Sequence, residues 1–408
     1  MKKITYTQIF NLVVLMVALF IVSCSQLDGP NPLESNTIPP GIVSNVQIEN
    51  LKGKVDLKYT LPSDEDLLYV KAVYKLENGT EMVVKSSYYN NNMTIVGFLG
   101  GAGPIKVNLY SVNRSETESS PLEITVNPQK SPIFDVFNSL SIQDDFGGLR
   151  INAENATKAD IAILVMKKND FGDFEPLPKS IYTSSEIIKQ SIRGLDTIPV
   201  KIAVVVQDRW KNVTDTIIQT IKPLYESVLP RNKYNGLKLD NDPDHYEEFC
   251  CNKIPLSALW DQNFFWPGSI VTARDAPNTK LNTITFDIGQ SAKISRIHIW
   301  DYPEDGSKYF YLESLRYFRI WGTNNLPDQS GNLSNWTLLG DYEVTKPSGL
   351  PYTILNNDDV AQATAGVSYD FPLGVAKMRY IRIESIENWG KVKGLAISEL
   401  LVYGDNRK

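Results

Sequence analysis

Val55-Asp56-Leu57-Lys58-Tyr59 alternates apolar and charged residues, and this period of two decides the class of fold. In an extended chain successive side chains point to opposite faces. Val55, Leu57 and Tyr59 therefore share one face, and Asp56 and Lys58 take the other. Val70, Ala72 and Tyr74 repeat the pattern, as do Ile105, Val107 and Leu109. Asn78-Gly79 and Gly100-Gly101-Ala102-Gly103-Pro104 supply turns between such runs. Half-buried strands broken by tight turns predict an all-β sandwich over residues 41–128.

The pattern recurs downstream. Pro104-Ile105-Lys106-Val107 is echoed by Pro199-Val200-Lys201-Ile202, Arg114 by Arg209, and Thr125-Val126-Asn127-Pro128 by Thr220-Ile221-Lys222-Pro223, each 95 residues on. A constant offset of about one domain length predicts a second, tandem sandwich over 129–224. Its strands are expected at Leu149–Ala153, Ile161–Val165, Val200–Val206 and Thr216–Ile221. Pro39-Pro40-Gly41-Ile42-Val43 with Val55–Tyr59 resembles the first two strands of fibronectin type III domains, which implies Ig or fibronectin III-like sandwiches and no particular activity.

At the front, Lys2-Lys3, the apolar run Ile9–Val22 and Ile21-Val22-Ser23-Cys24 resemble a bacterial lipoprotein signal and its lipobox. The resemblance implies removal of a signal peptide and lipidation of Cys24, a tether rather than a membrane span. The Ser-, Asn- and Pro-rich stretch 25–40 is expected as a flexible linker. Residues 225–258, polar around Asn241-Asp242-Pro243-Asp244, are expected as a solvated connector. The adjacent Cys250-Cys251 builds no disulfide framework.

Over 259–405 the strand pattern returns. In Ile294–Trp300, Ile297 and Ile299 face one way, while Arg296, His298 and Trp300 face the other; Ile381 and Ile383 alternate likewise with Tyr380, Arg382 and Glu384. Leu259-Trp260-Asp261, Ile284–Gly289, Ile294–Trp300, Phe318–Thr323, Trp336, Arg379–Ile383 and Ile397–Gly404 follow the order found in discoidin (factor V/VIII type C) domains, and the segment resembles that family. The resemblance implies a jelly-roll sandwich, common among carbohydrate-binding modules, that carries its recognition loops at one end. It also implies a structural calcium held by Asp261 and Glu399, although Asp261-Gln262-Asn263-Phe264-Phe265-Trp266 replaces the family's Gly-containing loop with bulkier residues. No other cofactor is expected.

Two loops mix aromatic rings with hydrogen-bonding groups, the combination that covers a pyranose face while bonding its hydroxyls: Asp301–Tyr311 and Glu387–Lys391. Tyr302, Tyr309, Trp389, Asn388 and Lys391, together with Trp266, are the expected ligand-binding residues. Trp260, Trp300, Trp321 and Trp336 lie in or beside strand motifs and are expected as core or barrel-lid residues.

The formal net charge of −6 argues against a nucleic-acid surface. With only His245 and His298, a histidine-based triad or metal site has little to draw on. No nucleophile or phosphate-binding motif is present, so no enzyme is expected. The whole arrangement resembles surface lipoproteins of Bacteroidetes glycan-utilisation loci. That implies a non-catalytic, lipid-anchored protein of the outer membrane, exposed at the cell surface. Its implied partners are polysaccharide or oligosaccharide and the outer-membrane glycan import proteins. Two other readings stay open at this level: an accessory protein–protein interaction lipoprotein, and a glycosidase using a carboxylate pair.

Overall fold

The computed structural model describes residues 35–244, 247–248, 252–264, 270–271 and 282–407. Cys24, Trp266, His245 and Cys250-Cys251 lie outside the described residues. The chain divides into two compact units, one running to Asp135 and including Gln207–Thr214, the other holding Val136–Val206 and everything from Asp215 onward. No helix among the described residues is long and apolar enough to cross a membrane.

The first sandwich sets the three-stranded sheet β1 (Ser44–Leu51), β2 (Lys54–Thr60) and β5 (Asn92–Val96) against a four-stranded one. The latter runs in the order β4 (Glu81–Ser87), β3 (Leu67–Lys75), β6 (Ile105–Asn113) and β7 (Leu122–Val126). The alternation read from the sequence is the packing observed: Val55, Leu57, Tyr59, Val70, Ala72, Tyr74, Val107 and Leu109 are all buried in one core. Gly53 turns β1 into β2 at φ 67°, and its carbonyl accepts from the N–H groups of Gly97 and Phe98.

The second sandwich repeats this plan after a short helix, α1 (Ile133–Ser139). One sheet holds β8 (Ser141–Asp145), β9 (Gly148–Glu154) and β13 (Ile187–Arg193). The other holds β11 (Phe174–Pro176), β10 (Ile161–Lys168), β14 (Val200–Asp208) and β15 (Ile217–Ile221), with β12 (Ile181–Thr183) also on β10. The repeat extends to details: β6 and β7 recur as β14 and β15 at the 95-residue offset. After β6, Asn113 Oδ1 accepts from the N–H groups of Ser115 and Thr117; after β14, Asp208 Oδ1 accepts from those of Trp210 and Asn212. The Arg114–Arg209 correspondence reflects a shared turn.

The stretch expected as a solvated connector is instead part of the C-terminal barrel through most of its described length. β16 (Ser227–Val228) pairs with the last strand, β17 (Asn235–Leu237) pairs with the longest one, and Leu229, Tyr234 and Leu239 are buried. Its polar centre is consumed internally: Arg382, fully buried, bonds Asp242 Oδ1 at 2.6 Å, Asn241 Oδ1 at 2.8 Å and Gly331 O at 3.2 Å. Asp242 signals not solvent but a partner 140 residues away, whereas Asp244 stays exposed beside Lys238. Consequently β25 (Met378–Asn388) is covered on both faces, with Ile381 and Ile383 on one and Tyr380 and Arg382 on the other. Two short pairings complete this region: β18 (Glu247–Glu248) with β19 (Asn252–Lys253), and β20 (Ile270–Val271) with β26 (Ala396–Ile397).

The barrel is organised by β21 (Thr283–Trp300), which serves two sheets. Its first part pairs with β25, beyond which lie β22 (Leu315–Thr323) and β23 (Thr337–Glu343). After a register break between Asp287 and Ala292 its second part pairs with β27 (Glu399–Asp405) and β24 (Val367–Asp370). Gly289 lies in that break at φ 68°, and a Cβ there would come within 2.2 Å of Lys233 O. Pairings Trp300↔Glu399, Ile299↔Val367, Leu315↔Asn388 and Tyr317↔Glu343 bring the strand ends flanking the long loops to one end of the barrel. The described residues form an all-β molecule with two short helices, two sandwiches followed by a jelly roll.

Candidate functional site

Three loops and the helix α2 (Asn357–Ala365) converge at that end. The first, 301–314, is fastened by Asp301, whose carboxylate accepts from the Tyr302 N–H at 2.9 Å and, across the loop, from the Phe310 N–H at 2.6 Å. Burial pushes Asp301 up to about 6, against the opposing pull of those two bonds. Closing the loop forces Asp305, Phe310 and Leu312 to positive φ and turns Tyr302 and Phe310 inward, where they are 2% and 1% exposed.

Outside this knot lies an open recess of about 200 Å³, lined by Trp300, Phe264, Tyr309, Asp301, Thr364 and Ser398 among others. Trp300 stands edge-on between two neighbours, Phe264 with centroids 5.1 Å apart and His298 at 4.2 Å. His298 is a fixed support behind the indole. Its Nε2 meets the Ala365 carbonyl at 3.0 Å, which can only accept, so that nitrogen carries the proton and Nδ1 accepts from Ser368 Oγ at 2.8 Å. Burial holds the imidazole below its ordinary range and so neutral. The indole is therefore held in place before any ligand arrives.

The second loop follows β25. Asn388 is 2% exposed; its Nδ2 donates to Val392 O and Gly394 O, and its Oδ1 accepts from the Val392 N–H. It staples the turn. Trp389 is half-buried, edge-on to Phe310 at 5.6 Å with the Arg316 guanidinium 5.1 Å from its ring, and its indole nitrogen is turned inside. Lys391 is exposed at φ 53°.

The third loop, 344–356, ends at the capping box that opens α2, where Asn356 and Asp359 exchange bonds. It presents Tyr352, whose ring lies parallel to Tyr311 at 5.7 Å.

The residues expected from the sequence thus part company. Tyr309 lines the recess; Trp389 and Lys391 sit on the neighbouring loop; Tyr302 and Asn388 are buried and spent on loop structure. Trp300 and Phe264 were not among the expected ligands. Trp300 was expected as a core or barrel-lid residue because it ends a strand, and the register Trp300↔Glu399 places it half-buried at the rim.

Asp261 and Glu399 do come together, but among the described residues no further acid, histidine or cysteine joins them to hold a cation. Glu399 is fully buried; its Oε2 accepts from the Gln262 N–H at 2.9 Å, and its Oε1 lies 3.6 Å from the Arg231 guanidinium. Asp261 Oδ1 accepts from the Asn263 N–H. Among the described residues no three acids, histidines or cysteines converge to hold a metal. Calcium takes six or more oxygens, more than these two carboxylates supply, and Arg231 places positive charge beside Glu399.

Three families match the chain, each described as a domain of unknown function: DUF4959 over residues 40–128, DUF5126 over 129–232 and DUF5000 over 260–404. No curated protein matches. Among solved structures, a SusE-like protein is 25% identical over 67% of this chain and 98% of its own, with a TM-score of 0.44. CBM32-3 of a family 31 glycoside hydrolase from Clostridium perfringens is 13% identical over 44% of this chain and 95% of its own, with a TM-score of 0.30. The C-terminal domain of a chitobiase from Bacteroides fragilis is 16% identical over 45% of this chain and 100% of its own, with a TM-score of 0.29.

Proposed function

We propose that this protein is a non-catalytic, surface glycan-binding lipoprotein, anchored in the outer membrane through Cys24, that captures polysaccharide or oligosaccharide for outer-membrane import proteins. The observation that carries the reading is the Trp300 recess: an indole fixed between Phe264 and His298, open to solvent, with Tyr309, Thr364 and Ser398 beside it. An aromatic ring takes the apolar face of a sugar while hydroxyl groups meet its rim. Covering ~100 Å² in this way contributes about 2.5 kcal/mol, so a single contact binds weakly. The sequence resemblance to discoidin domains supports the same reading. Asp301 is the one carboxylate among the described residues that line the recess, whereas glycoside hydrolysis uses two; this favours binding over catalysis.

The test is affinity electrophoresis of the whole mature chain through gels containing galactan, mannan, xylan or glucan. Retardation by at least one, abolished by Trp300→Ala, is the expected result. A folded protein that none of them retards would overturn the proposal and favour an interaction protein that does not bind sugar.

A further inference from the structure

Tyr352 is 39% exposed and yet immobilised. Its ring stacks on Tyr311 with only 8° between planes, and its hydroxyl accepts from the Leu312 N–H at 3.2 Å. The loop that carries it is built for rigidity. Lys346, 7% exposed, turns its ammonium inward to the carbonyls of Leu350 at 3.2 Å, Pro351 at 3.0 Å and Ile354 at 2.5 Å, closing the segment around itself. Asp359, with no exposure at all, holds the loop from the other side through the Ser348 N–H and hydroxyl and the Asn356 N–H. A buried lysine and a buried aspartate are costly to maintain, and here they fix the frame on which an exposed tyrosine is displayed. Leu350 and Ile354, 38% and 52% exposed, flank it with further apolar surface.

This surface adjoins the recess. Tyr309 lines the recess and Tyr311 forms the stack; two residues of chain span at most ~7 Å. Phe310 between them points inward, so the two neighbours present separate aromatic surfaces on either side of one buried ring. A monosaccharide seated on Trp300 would have no use for the second.

We propose that the Tyr311–Tyr352 stack is a second sugar-binding surface, and that the ligand class is therefore a glycan chain that bridges it to the Trp300 recess rather than a single terminal sugar. The proposal rests on the glycan-binding reading above and names its substrate class. Because Lys346 and Asp359 hold the loop in advance, little ordering entropy is lost when the chain docks.

The test is calorimetry on the full mature chain, using the monosaccharide and hexasaccharide of whichever of the four backbones retards it. In Tyr352→Ala the hexasaccharide should bind about tenfold more weakly, as expected for one lost stacking contact, with the monosaccharide unchanged. Lys346→Met, which frees the loop without touching Tyr352, should weaken the hexasaccharide in the same direction. Equal hexasaccharide affinity in the wild type and Tyr352→Ala, with Trp300→Ala still abolishing it, would overturn the second surface and leave the recess standing. Loss of binding in neither variant, or no binding of any of the four glycans, would sink both.

Discussion

Arg382 and Asp242 lie 2.6 Å apart with almost no solvent contact, joining the middle of β25 to the segment that leads into the barrel. Thr283 Oγ1 donates to the same Asp242 oxygen. Removing the carboxylate with Asp242→Ala would strand a guanidinium in the interior. The expected cost is about 3 to 5 kcal/mol, read as a lower midpoint in urea unfolding; a change below about 1 kcal/mol would show that the guanidinium finds other partners.

Gly289 and Gly306 both sit at positive φ, but only the first is crowded. Gly289→Ala sets a methyl 2.2 Å from Lys233 O, while Gly306→Ala meets nothing within 4 Å. The strain at φ alone is of order 1 kcal/mol in each. Gly289→Ala should therefore lower the melting temperature clearly more than Gly306→Ala does, and equal shifts would mean that the break in β21 is soft.

Asp301 and Glu399 are held by burial at about 6 and about 7, above the carboxylate values of an unfolded chain. The folded form therefore binds protons more tightly than the unfolded one. Their contribution to stability is fully present below about pH 4 and is lost as pH rises through 6 to 7. Urea unfolding at pH 5 and pH 7.5 should show Asp301→Asn losing less stability across that interval than the wild type, by about 1 kcal/mol. Parallel pH profiles would contradict the assignment.

Trp300 and Trp389 should behave differently. Trp300→Ala removes a half-buried ring packed on Phe264 and His298, so it should cost stability, about 1 to 3 kcal/mol, and abolish retardation by glycan in a protein that still folds. Trp389→Ala removes the ring packed on Phe310 and beside Arg316. It should cost stability, about 1 to 3 kcal/mol, and weaken binding less. The reverse ranking in the gel would move the principal contact to the second loop.

Chelation offers a further check. With the Arg231 guanidinium 3.6 Å from Glu399, millimolar EDTA or added calcium should leave the melting curve unmoved. A stabilising shift with calcium would show that the region around Glu399 gathers more oxygen ligands than the described residues supply.

Alternation over Val55–Tyr59 and the 95-residue echo were sufficient to infer tandem sandwiches, because a strand with one buried face imprints its period directly on the residue order. The loop end of the barrel could be anticipated for the same reason, since strands declare where they stop. The division of labour within those loops could not be read. Asn388 and Tyr302 carry the composition of sugar-binding residues and are buried in the loops, Asn388 as a staple, while Trp300 reads as a core or lid residue and lines a recess.

What the chain's own order determined is the class of fold, its repetition and the end of the barrel where the long loops gather, all consequences of local periodicity. What only the tertiary structure decided is which polar and aromatic groups remain free. Arg382 reaches Asp242, Glu399 meets Arg231, and Tyr352 stacks on Tyr311 across separations of chain that no local pattern encodes. Whether a side chain is spent on the fold or left for a ligand depends on those distant partners.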